Sequence, residues 1–124
     1  MKIKIDSKYC GPTGSGNGGY VSGMIAKAAH FPSQVTLRKP PPLDKYLELK
    51  ISKDKVDLLD GETLIGDAVP TDLEIEIPAP PTYEEAVEAS KNYSGHDEHP
   101  FPNCFVCGTN RKPDDGLNLF TGKL

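Results

Sequence analysis

The stretch of this sequence best suited to chemistry is the glycine-rich run from Cys10 to Gly19, which ends in Asn17-Gly18-Gly19. Glycine has no Cβ to shield the main chain, so a ligand atom can come within about 3 Å of a backbone amide there. A helix that starts at this point adds unpaired N–H groups and the positive end of its dipole. The amides of Gly18, Gly19 and Tyr20 are therefore candidates to hold a carbonyl oxygen as it becomes an oxyanion. Gly16, Tyr20 and Ser22 are the residues expected beside such a substrate. The competing reading is a tight structural lead-in to a buried helix, with no ligand at all.

Two familiar phosphate motifs can be set aside. Gly14 to Gly19 matches G-x-G-x-x-G, but a dinucleotide fingerprint needs a strand directly before it and a parallel strand after it, and the hairpin signals that follow are antiparallel. No Gly-Lys-Ser/Thr is present for a P-loop. A second cluster, His96-x2-His99-x4-Cys104-x2-Cys107, has ligand-like spacing and the form of a zinc knuckle. Its plainer reading is two buried cysteines and two exposed histidines. Cys10 reads as a reduced thiol near the glycine loop, and three cysteines without a secretory signal do not make a disulfide framework.

The elements that must position these residues can be read from periodicity. Lys2 to Ile5 alternates like a short edge strand. Tyr20 to His30 places Val21, Met24, Ile25 and Ala28 on one helical stripe, and with Lys27 its sole charge this helix is expected to be nearly buried. Phe31-Pro32 ends it. Beyond that the period becomes two: Gln34 to Arg38, Tyr46 to Ser52, Val56 to Leu59 and Thr63 to Ile77 read as strands, with Asp60-Gly61 a hairpin signal and Pro70 a bulge or edge position. Pro40-Pro41-Pro42 should stiffen a connection. One helix with a mostly antiparallel sheet is an α+β arrangement. A proline-rich linker from Ala79 to Pro81 follows, then a short helix opened by the capping box Thr82-x-x-Glu85. The expected organisation is a domain over residues 1–78, a linker and helix over 79–95, and a cysteine-containing extension over 96–124.

Composition narrows the function classes. The 124 residues hold 12 glycines and 12 prolines, with 36% hydrophobic and 26% charged residues, enough for one thin-cored domain. A net charge of −4 argues against nucleic acid as a partner. There is no apolar run long enough for a membrane span, and the N-terminus MKIKIDSKYC lacks a signal peptide's apolar region, so a cytoplasmic protein is expected.

The segments GSGNGGYVSGMIAKAA, VTLRKPPPLDKYLEL and LLDGETLIGDA together resemble the hotdog-fold thioesterase superfamily, over about residues 1–78. The resemblance implies a long central helix wrapped by a curved antiparallel sheet, a homodimer as the working unit, and an acyl-CoA or related thioester as substrate, hydrolysed without a cofactor. It assigns the polar role to Asn17 and oxyanion binding to Gly18 and Gly19, with Met24 and Val21 near an acyl tunnel. Many relatives place a carboxylate further along the helix; here that stretch reads SGMIAKAA. Either Asp60, Glu62 or Asp67 supplies the base, or the protein binds an acyl thioester without hydrolysing it. The tail PFPNCFVCGTNRKPDDGLNLF resembles the opening of a second hotdog repeat, cut off near Leu124.

Overall fold

The computed structural model describes residues 1–124. Strand β1 (Lys2–Lys4) leads through a single 3-10 turn at Ser7–Tyr9 and the glycine loop into helix α1 (Gly18–Ala29). Four strands follow: β2 (Ser33–Leu37), β3 (Tyr46–Ile51), β4 (Val56–Asp60) and β5 (Thr63–Pro70); then comes helix α2 (Tyr83–Ser90). The strands form one antiparallel sheet in the order β1-β3-β4-β5-β2, so the fold is α+β. No helix is long and apolar enough to cross a membrane.

Strand alternation decides the layers. Leu47 and Leu49 of β3, Val56 and Leu58 of β4, and Ile65 and Ala68 of β5 turn inward and meet Val21, Ile25, Ala28 and Ala29 of α1, with Ile5 closing the core from beyond β1. The opposite sheet face is polar. There Asp57 and Asp67 stand directly across from each other on β4 and β5, a like-charge pairing that destabilises unless neutralised. Lys55 pairs with Asp57, and Arg38 pairs with Asp67.

Helix α1 starts two residues earlier than its apolar stripe suggests, because Asn17 is the N-cap and its side chain accepts from the Tyr20 N–H at 3.1 Å. It stops at Ala29, where His30 takes the left-handed conformation at φ 55°. The expectation of a nearly buried helix is corrected: Gly19, Gly23 and Lys27, four residues apart and so on one face, are exposed. α1 has 12 residues and lies on one face of an open sheet.

Strand β5 is shorter than its pattern. The register Ser33↔Pro70 is its last pair with β2, and Pro70 has no N–H to carry the ladder further. Residues beyond it have no neighbouring strand, so Leu73, Ile75 and Ile77 are exposed at 76%, 66% and 82% despite their alternation. In α2 the capping box forms in both directions: the Glu85 N–H donates to Thr82 Oγ1 at 3.2 Å, and the Thr82 N–H donates to Glu85 Oε2 at 2.7 Å. From Asp97 onward the chain runs in turns and folds back over the glycine loop: the Phe105 N–H donates to the Cys10 carbonyl at 2.8 Å.

Candidate functional site

The glycine loop is held from both sides. The Gly16 N–H donates to the Pro41 carbonyl at 2.8 Å and the Asn17 N–H to the Tyr9 carbonyl at 2.7 Å. The triple proline thus does more than stiffen a connection, since its middle carbonyl anchors the loop. Gly16 is buried so tightly that a Cβ there would stand 2.9 Å from Val21 Cγ2. These contacts fix the start of α1 and leave the Gly18 and Gly19 amides without a partner in the chain, as expected for the first turn of a helix. Gly19 is exposed and Gly18 half-buried. The Tyr20 amide is not free, because Asn17 Oδ1 takes it.

Two cavities flank this helix start. One, of about 770 Å³, runs along the open face of α1 from Gly19 past Tyr20, Gly23 and Met24 to Leu49 and Ile51 of β3. Its walls are mostly apolar, and Tyr20 is braced by stacking on Tyr9 with ring centroids 4.0 Å apart. Burial, followed by the nearby Tyr9, raises the Tyr20 hydroxyl above its ordinary pKa. The other, of about 580 Å³, lies on the Gly16 and Gly18 side and carries Arg38 and Lys39.

No family model, curated protein or solved structure matches this chain.

Gly19 lines the larger cavity, and Gly16 and Gly18 line the smaller one. Ser22 is half-buried and lines neither. Met24 faces the larger cavity, whereas Val21 is fully buried in the core. Of the three carboxylates considered as base, Asp60 is paired with Lys45, Asp67 with Arg38, and Glu62 is exposed in the β4–β5 turn. None of them lines either cavity.

The tail reaches this site. Asn17 Nδ2 donates to Cys104 Sγ at 3.6 Å, and Tyr9 packs edge-on against Phe105. Arg111 ties the tail down by donating to the Lys8 and Asn103 carbonyls and to Cys10 Sγ. Spacing within the sequence offered no signal for this arrangement, because Asn17 and Cys104 are 87 positions apart.

The zinc arrangement does not form. His99 Nε2 lies 3.0 Å from the Cys107 carbonyl and 2.9 Å from the Tyr93 hydroxyl, while His96 Nε2 is 3.1 Å from the Ser90 carbonyl. The two imidazoles are committed to different partners, and no three of the histidine, cysteine and carboxylate groups converge on one point.

Proposed function

We propose that the chain binds an acyl thioester along the open face of α1 and polarises its carbonyl with the Gly18 and Gly19 amides. The observation that carries this reading is the unpartnered Gly19 amide at a helix start beside an apolar groove of about 770 Å³, with the unpartnered Gly18 amide next to it on the side of the basic cavity. The acyl chain would lie against Met24 and Leu49. The basic cavity at Arg38 and Lys39 would suit the anionic end of a CoA ester. Asn17 acts chiefly as a positioning residue, since its oxygen caps α1. On this reading the chain is a hotdog-like thioesterase that works as a homodimer, and its three unpaired cysteines suit a reducing compartment such as the cytoplasm.

The test is loss of thioester absorbance across acyl-CoAs from acetyl to palmitoyl. Turnover should fall about 100-fold in Asn17→Ala, the size of losing one preorganised polarising element. Gly19→Val, which crowds the groove mouth, should lower turnover for long chains more than for acetyl. Equal activity in all three proteins sinks the reading. Sedimentation should give a dimer.

Binding without hydrolysis is favoured by a specific feature: the groove contains no carboxylate to activate water. It predicts thermal stabilisation by the same esters with no turnover.

A further inference from the structure

We propose that Cys104 and Cys107 form a reversible intrachain disulfide, making the turn that covers the start of α1 a redox-modified site. Both are free thiols three residues apart. The turn is closed by the Gly108 N–H donating to the Cys104 carbonyl at 2.8 Å, and a Cβ on Gly108 would collide with the carbonyls of Pro102 and Cys104. Residues three apart in such a turn have Cα atoms within about 7 Å, and disulfides span up to about 6.8 Å.

Their surroundings give the two sulfurs different parts. Cys107 is half-buried and reachable, whereas Cys104 is only 6% exposed. Burial by itself raises both thiols. At Cys104 that effect is outweighed by the N–H groups of Cys107 and Val106, the Cys107 thiol and the Asn17 carboxamide, which together bring it below the ordinary thiol range. Burial and the Cys104 neighbour push Cys107 upward. Cys104 is therefore the more easily deprotonated of the two, and it is the sulfur placed to attack its neighbour.

The oxidant is a small disulfide of the glutathione class. Cys107, the more accessible sulfur, gives up its proton to solvent and attacks one sulfur of oxidised glutathione, forming a mixed disulfide and expelling one glutathione thiolate. The Cys104 thiolate then attacks the Cys107 sulfur, closing the intrachain bond and expelling the second. The two cysteines lose two protons and two electrons, and the small disulfide is reduced to two thiols. Cys10 stands apart, donating to the Asn103 carbonyl at 3.2 Å and accepting from Arg111 Nη2 at 3.3 Å. Oxidation converts the free sulfur that Asn17 Nδ2 now faces into one half of a disulfide, so the redox state of the tail is felt at the cap of α1.

The experiment equilibrates the full chain in glutathione buffers from fully reduced to fully oxidised, quenches with acid, alkylates and maps peptides by mass spectrometry. The expected product has lost two hydrogens and keeps one alkylatable thiol, at Cys10. Reduction restores all three, and the Asn17 side-chain amide signal in NMR moves over the same buffer range. Cys10→Ser should behave alike, and Cys107→Ser should carry only glutathione adducts. The proposal is overturned by three alkylatable thiols in the fully oxidised buffer, by stable adducts on the parent chain, by a disulfide that includes Cys10, or by loss of two hydrogens in Cys107→Ser.

Discussion

Asn17 joins two parts of the chain through one carboxamide. Its oxygen caps α1 and its nitrogen faces Cys104. Two substitutions separate these tasks. Asn17→Ala loses the cap and should cost about 0.5–2 kcal/mol in urea unfolding. Asn17→Asp keeps a capping oxygen near the helix dipole but places a carboxylate beside the Cys104 sulfur. Stability should hold while the pH midpoint of Cys104 alkylation rises; an unchanged midpoint would show that the contact does not tune the thiol. The sequence reading misses this cap, because it starts the helix at Tyr20 and counts the Tyr20 amide as free, although Asn before a glycine-led helix is a local signal. The sulfur partner of Asn17 was not legible, because local patterns say nothing about which distant turn comes to rest on them. A different residue sets the acid response. The Arg38 guanidinium holds the Asp67 carboxyl below the usual carboxylate range. A carboxyl lowered in the folded state contributes stability above its unfolded value of about 3.9, and that contribution is lost as pH falls through the folded value. Urea midpoints should thus drop on acidification, and Asp67→Asn should show a shallower drop.

Among the elements, β5 shows what periodicity can and cannot tell. Residues 63–70 and 71–77 both carry apolar positions, yet the ladder ends where β2 begins, at Ser33↔Pro70. Strand length is set by the partner, which lies elsewhere in the sequence. Leu73→Lys or Ile75→Lys should accordingly change stability by no more than about 0.5 kcal/mol, whereas Ile25→Ala in the core should cost about 2–5 kcal/mol. A large loss from either surface change would mean that the extended segment is covered in solution. The four remaining strands, the hairpin at Asp60-Gly61 and the α2 capping box followed local rules. The open face of α1 did not, because Gly23 and Ala26 are compatible with a covered surface as well as a bare one.

For the molecule as a whole, the tail is tied to the segment around the glycine loop by polar contacts, and Arg111 supplies two of them, to the Lys8 carbonyl and Cys10 Sγ. Arg111→Ala should speed amide exchange at Phe105, whose N–H bonds Cys10, and leave Leu58 in the middle of the sheet unchanged. Equal acceleration at both would indicate global rather than local opening. The distance in sequence between these partners also has a temporal side. The Arg111 bond to Lys8 joins positions 103 apart, and the Cys10 bond to Asn103 joins positions 93 apart. During synthesis the chain emerges from its N-terminus at about 5–20 residues per second, so the glycine loop stands uncovered for several seconds before the tail exists. A newborn chain therefore passes through a bare stage in which Cys10 and the first turn of α1 face solvent, and the arrival of residues 103–111 ends it.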